Sequence, residues 1–316
     1  MAHDCIIEAQ GLVKTYPGAD RPAVAGIDLR IKKGAFYGVL GPNGAGKTTT
    51  LSICSGLMRP DSGLLDIAGL DIRKDLTEIK GIIGLVPQET AVYPTLTARE
   101  NLLYFGAMQG LSGDRLKTRV DYCLDVARLT PLADKRVETF SGGLKRRLSL
   151  VAGLIHEPKI LFLDEPTVGI DPQSRLFIYE SLKKMNSSGM TIVYTSHYME
   201  EVETLCAEIS IIDRGVIIAE GRVDDMVIRH SGSVIEVRLN APPPEALRQK
   251  VSALPHVSGA LFDAKTFTVK SAKPQQTIGD IMRLMEESNL NILSLCHGGL
   301  SLEKLFISLT GAKLRE

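Results

Sequence analysis

No stretch of the 316-residue chain approaches the roughly 18 uninterrupted apolar residues that a helix needs to cross a bilayer. Any service to a membrane is therefore expected to run through partners. The sequence also lacks an excess of charge of either sign. Lys plus Arg and Asp plus Glu each number 37, which argues against a broad basic surface for nucleic acid. The start, Met1-Ala2-His3-Asp4-Cys5, has no basic residue followed by an apolar core, so no secretory leader is expected. The five cysteines (Cys5, Cys54, Cys123, Cys206, Cys296) include no C-x-x-C pair. They are expected to be reduced and mostly buried thiols in a cytosolic chain, not disulfides or metal ligands.

What is present fits a well-packed α/β protein of about two domains, with 44% apolar and 23% charged residues. Residues 1–230 alternate short apolar runs with helical patterns. Ala35 to Leu40, Lys159 to Leu163 and Met190 to Thr195 have the length and β-branched character of strands at the buried centre of a parallel sheet. Residues from about 89 to 150 differ and predict a helical insertion, opened by the capping-box spacing Thr97-Ala98-Arg99-Glu100. A boundary is expected at His230-Ser231-Gly232-Ser233. Beyond it, residues 233–316 predict a small α+β domain. Strands are expected around Ile235 to Leu239, Phe267 to Val269 and Asn291 to Leu295. Helices are expected on the spacings of Leu247, Val251 and Leu254, and of Ile278, Ile281, Met282 and Met285. The order β-α-β-β-α-β is that of a ferredoxin-like domain. A last helix carries Leu302, Leu305, Phe306 and Leu309 on one face.

Three local patterns carry chemistry. Gly41-Pro42-Asn43-Gly44-Ala45-Gly46-Lys47-Thr48 satisfies G-x-x-x-x-G-K-[ST] between a predicted strand and a predicted helix. Glycines let successive N–H groups turn into one concavity that binds phosphate at a helix start. Lys47 would sit at the β- and γ-phosphates, and Thr48 would ligate Mg²⁺. The neighbouring Thr49 is placed in the same nucleotide-binding set. Ile160-Leu161-Phe162-Leu163-Asp164-Glu165-Pro166 delivers two acids at a strand end, where open α/β sheets bind ligands. Two adjacent carboxylates need a cation or a shared proton. Mg²⁺ would answer for Asp164, leaving Glu165 to deprotonate an attacking water. Phe140-Ser141-Gly142-Gly143-Leu144 reads, taken alone, as a capped turn before an apolar helix. Lys145, Arg146 and Arg147 after it read as a solvated helix face, with a phosphate or interface contact as the alternative.

Together these motifs resemble the ATP-binding cassette family, whose signature loop is usually written L-S-G-G-Q. The resemblance covers residues 6 to about 225. It implies a P-loop ATPase fold with a helical subdomain, ATP and Mg²⁺ as cofactors, and roles for further matching residues. Tyr16 matches the aromatic that stacks on adenine. Gln88 matches the glutamine that touches Mg²⁺ and senses the membrane subunit. Asp171 matches the D-loop, and His197 the switch histidine at the γ-phosphate. Two cassettes would sandwich two ATP molecules head to tail, each between one P-loop and the partner's Ser141, Gly142 and Gly143. Leu144 stands where the family usually has Gln. The Ser-Gly-Gly-x-Lys-Arg-Arg loop, the run from Asp164 to Arg175 and the last helix resemble prokaryotic exporter ATPases with separate membrane subunits. The resemblance implies an ATPase at the cytoplasmic face of the membrane that forms a homodimer and drives a separate polytopic permease, with no nucleic acid partner. The alternatives are an importer ATPase and a soluble ATPase of the same family.

Overall fold

The computed structural model describes residues 4–226, 233–288, 290–297 and 302–310. Contacts divide the chain into two units, Met1–Gly221 and Arg222–Glu316. The residues 230–232, at which the sequence suggests a boundary, lie outside those described.

Two sheets build the first unit. The smaller is antiparallel, from β1 (Cys5–Lys14), β2 (Val24–Lys32), β4 (Ser62–Ile67) and β5 (Leu70–Asp71) in the order β2-β1-β4-β5. The larger contains β3 (Phe36–Leu40), β6 (Ile83–Val86), β7 (Ile160–Asp164), β8 (Thr191–Ser196), β9 (Glu208–Asp213) and β10 (Val216–Arg222). Its order is β10-β9-β3-β8-β7-β6, and the five strands from β9 to β6 are parallel. Every residue of β3, β7 and β8 is buried. A parallel sheet is covered on both faces, so its central strands must be apolar at successive positions and do not alternate. The exceptions lie at strand ends: Asp164 closes β7 as a buried acid, and Thr191, Thr195 and Ser196 place buried hydroxyls at the two ends of β8.

Helices α1 (Lys47–Cys54), α6 (Pro172–Ser187) and α7 (Met199–Leu205) follow β3, β7 and β8 in the chain. All three turns therefore sit at the carboxyl ends of adjacent strands, where α/β sheets place ligands. A short α2 (Leu76–Ile82) precedes β6. The insertion between β6 and β7 contains α3 (Ala98–Met108), α4 (Gly113–Val126) and α5 (Gly142–Ala152). At its start the Thr97 hydroxyl accepts from the Glu100 N–H at 3.1 Å, and the Glu100 carboxylate accepts from the Thr97 N–H at 2.8 Å. This reciprocal box satisfies two donors that the first helical turn would leave unpaired.

The second unit runs β11 (Ser233–Leu239), α8 (Glu245–Ser252), β12 (Val257–Asp263), β13 (Thr266–Ser271), α9 (Pro274–Glu287), β14 (Ile292–His297) and α10 (Leu302–Thr310). Its sheet is antiparallel in the order β12-β13-β11-β14, which is the β-α-β-β-α-β arrangement of a ferredoxin-like unit. Ile235, Val237, Phe267, Val269, Leu247, Val251, Ile281 and Met285 form its core. Met282 belongs to the predicted apolar stripe of α9 but is half exposed, because Thr277, Ile281 and Met285 define the buried face. Ile281→Ala is expected to cost about 2–5 kcal/mol through the cavity it leaves. Calorimetry of the full chain should show the transition of this unit falling while that of residues 1–221 stays in place.

Candidate functional site

The loop after β3 is shaped by what its glycines exclude. A Cβ at Gly41 would overlap the Ile212 carbonyl oxygen, and one at Gly46 the Ala23 carbonyl oxygen. Gly46 also adopts φ of 106° as the residue that caps α1, a conformation open to glycine and costly for other residues. Between them the Ala45 N–H donates to the Pro42 carbonyl at 3.1 Å, while Asn43 and Gly44 form the exposed tip. Lys47 folds back over this loop, and its ammonium donates to the carbonyls of Gly41 at 2.9 Å and Pro42 at 3.2 Å. On the following turn, the Thr49 hydroxyl lies 3.1 Å from the Tyr16 hydroxyl, so the aromatic of the β1–β2 loop stands beside the helix start. Tyr16 is 42% exposed and leaves a ring face open.

The acids of β7 meet this loop. Alternation along a strand would send Asp164 and Glu165 to opposite faces. Glu165 instead takes a positive φ of 42°, a strained value for a residue with a side chain. The strand ends there and both carboxylates reach the same cluster. Asp164 Oδ1 accepts from the Thr48 hydroxyl at 3.2 Å and from the Thr195 hydroxyl at 2.6 Å. Thr195 in turn accepts from the Glu165 N–H at 3.0 Å. Glu165 Oε1 lies 3.0 Å from Lys47 Nζ, and its Oε2 lies 3.0 Å from His197 Nδ1. Lys47 and Glu165 are only 4% and 7% exposed, so this ion pair is largely withdrawn from water. Thr48 and Asp164 thus present two oxygen ligands side by side, a donor set suited to a hard divalent cation completed by phosphate oxygens.

The signature residues lie on the insertion. Ser141 caps α5, its hydroxyl accepting from the Leu144 N–H at 3.4 Å. Because that bond uses the backbone of residue 144, the cap is indifferent to Leu in place of Gln. Ser141 and Gly142 are exposed. Gly143 is pressed against α6, where a Cβ would collide with Ser174. Asp171 caps α6, accepting from the Ser174 N–H at 2.9 Å. That backbone bond, with the Ser174 hydroxyl, holds the Asp171 carboxyl below the usual range. Among the described residues no hydrogen bond joins Ser141, Gly142 or the Gln88 side chain to the Lys47 cluster. Gln88 is exposed.

Arg146 departs from the solvated face that its sequence context suggests. It is 2% exposed. Its guanidinium donates to four carbonyls: Pro87 at 2.5 Å, Gln88 at 3.1 Å, Pro166 at 2.5 Å and Asp164 at 3.3 Å. Burial pulls its pKa down to about 10, which still leaves it charged at neutral pH. The side chain thereby ties the signature helix to the Gln88 loop and to the end of β7. Arg147 lies over the Phe177 ring, 4.1 Å from its centroid. No sequence signal separates Arg146 from its two basic neighbours, because its acceptors come from segments far away in the chain.

A glycine-built loop before α1, a lysine over it and two acids at the next strand but one define a P-loop nucleotide-binding ATPase. Comparison with known proteins makes this specific. Residues 24–168 match the family described as ABC transporter. The linearmycin resistance ATP-binding protein LnrL of Bacillus subtilis is 42% identical over 98% of this chain and 100% of its own length. The daunorubicin resistance ATP-binding protein DrrA3 of Streptomyces coeruleorubidus is 35% identical over 98% and 96%. The Nod factor export ATP-binding protein I of Paraburkholderia xenovorans is 36% identical over 99% of each chain. Among solved structures, the dimeric cassette MJ0796 bound to ADP and phosphate superposes with a TM-score of 0.63 at 28% identity, over 68% of this chain and 98% of that one. CbiO1 of Clostridium perfringens gives 0.63 at 29% identity over 70% and 89%. The chain belongs to the ATP-binding proteins of ABC transporters, and it is an ATPase.

Replacing Arg146 by Lys keeps the charge but removes the fork. One ammonium cannot serve four carbonyls, so the cassette is expected to lose roughly 1–3 kcal/mol for each buried acceptor left without a donor. The urea midpoint of Arg146→Lys against that of the parent measures the loss.

Proposed function

We propose that this chain powers export through separate membrane subunits at the cytoplasmic face of the membrane, as a homodimer that closes on two ATP molecules. The observation that carries the catalytic part is the placement of Glu165 between Lys47 and His197, each at 3.0 Å. Phosphate oxygens would replace Glu165 as the acceptor of the Lys47 ammonium. Glu165 would then be free to take the proton of a water attacking the γ-phosphate, while His197 faces that phosphate and holds the carboxylate in place. The Gly41–Thr49 loop would bind phosphates through its N–H groups, and the open face of Tyr16 would stack on the base. Thr48 and Asp164, with Gln88 moved inward, would hold Mg²⁺, which supplies charge neutralisation to the phosphates.

Export is supported by the relatives named for resistance and for Nod factor export, which align along nearly the whole chain. A membrane partner is supported by the surface beside the Gln88 loop. No helix of the described residues is long and apolar enough to cross a membrane. A groove of about 620 Å³ opens between α1, α2, α3 and α5, with Leu57, Pro87, Phe105 and Met108 among its lining residues. Tyr93 and Tyr104 stand together at an exposed edge of α3, ring centroids 5.0 Å apart. Buried Asn101 pins this loop by accepting from the Tyr93 N–H at 2.7 Å and donating to its carbonyl at 3.0 Å. An exposed apolar groove with a rigid aromatic rim suits a short helix from a permease. The homodimer is supported by the exposure of Ser141 and Gly142 away from the Lys47 cluster, which leaves them free to complete the site of a second copy.

Two outcomes test this reading. Glu165→Gln should bind ATP about as tightly as the parent while turnover falls at least about 10²-fold; near-normal steady-state hydrolysis would overturn the general-base role. Tyr104→Glu should leave hydrolysis by the isolated protein near the parental rate while abolishing co-purification with a polytopic membrane protein. Retained co-purification would remove this groove from the docking surface.

A further inference from the structure

One buried carboxylate lies behind the catalytic cluster and is not part of it. Glu201, on α7, is 2% exposed. Three hydroxyls donate to it: Thr167 to Oε1 at 2.5 Å, Tyr194 to Oε2 at 2.8 Å and Ser196 to Oε2 at 2.9 Å. Short O–H bonds to an ionised carboxylate are the strong kind, and buried networks of this sort hold their members to one geometry. Arg175 of α6 reaches within 3.9 Å of Oε1. The Tyr179 hydroxyl also faces this carboxylate; its pKa is raised, first by burial and then by the Glu201 charge.

The donors stand at telling positions. Thr167 lies two residues after Glu165, and Ser196 lies one residue before His197. Residue 195, between Tyr194 and Ser196, points the other way and holds both Asp164 and the Glu165 N–H. Strand β8 therefore grips the acids from one face and Glu201 from the other. Ser196 also accepts from the Tyr198 N–H at 2.9 Å, which closes the turn that carries His197.

We propose that Glu201 is a positioning residue for hydrolysis: by tying Thr167 to Ser196 it fixes the separation of Glu165 from His197. This rests on the catalytic reading above. The side chain touches neither of the two directly and acts through the backbone on each side of them. In Glu201→Gln the shape is kept, but an amide nitrogen replaces one of the oxygens on which the three hydroxyls converge.

The test is steady-state ATP hydrolysis by the full chain in a cycle of parent, Glu201→Gln, His197→Ala and the double variant. Misplacement of reacting groups costs rate more than binding, so Glu201→Gln is expected to lower kcat about 10-fold with KM for ATP within about 2-fold. In the His197→Ala background the same change should cost less than about 2-fold, since the geometry it protects is already gone. Ser196→Ala, which deletes one donor and leaves the carboxylate, should lower kcat in the same direction and serves if Glu201→Gln does not fold. Parental kcat in Glu201→Gln, an undiminished loss in the double variant, or a loss confined to KM overturns the positioning role. If His197→Ala itself turns over at the parental rate, the fault lies in the catalytic reading. If His197→Ala is slow and Glu201→Gln is not, only the present inference falls.

Discussion

Lys47 and Glu165 stand 3.0 Å apart with almost no access to water, and removing either would strand a buried charge at a cost of several kcal/mol. That pair dictates much of what surrounds it. The lysine comes from the turn after β3 and the glutamate from the turn after β7, so both strands must end at the same level on either side of β8. Glu165 must leave the strand with a positive φ to reach the cluster. Thr195 of β8 lies between the two strands and anchors the Glu165 backbone N–H. The parallel sheet is in this sense a frame for one ion pair.

A second buried charge is handled differently. Arg146 has no carboxylate partner among its hydrogen bonds and is held by the carbonyls of Pro87, Gln88, Asp164 and Pro166. These acceptors lie at or just beyond the ends of β6 and β7, where the ladder runs out and carbonyls are left over. The guanidinium fork fits such a set where an ammonium would not. It ties the insertion to the sheet through hydrogen bonds, in addition to the covalent link of residues 153–159 between α5 and β7.

What could be read in the sequence followed from how local the physics is. The runs at β3, β7 and β8 announce a buried parallel sheet because each run is apolar by itself, and the loop from Gly41 to Thr48 needs only its own spacing. Thr97 and Glu100 form their box within one turn. The strand β12 gives no such signal. It is an edge strand whose residues are half or fully exposed, so its apolar alternation is weak. Arg146 and Glu201 were hidden for a common reason. Each sits beside residues of like charge, Lys145 and Arg147 or Glu200 and Glu203, and only partners on other elements of the fold distinguish it. Gln88 is the converse case, a residue whose role comes from family resemblance while its side chain here remains exposed.

The pairing of β3 carries a kinetic consequence. Phe36 lies opposite Ile192 in β8, and Tyr37 opposite Glu208 in β9. A ribosome adding about 5–20 residues per second would need roughly 8–30 s to make the intervening chain. For that time the strand leading into the phosphate loop, apolar along its length, has neither of its neighbours. That segment is thus sheltered only long after it is synthesised, and until then Phe36 to Leu40 are open to pairing with another edge.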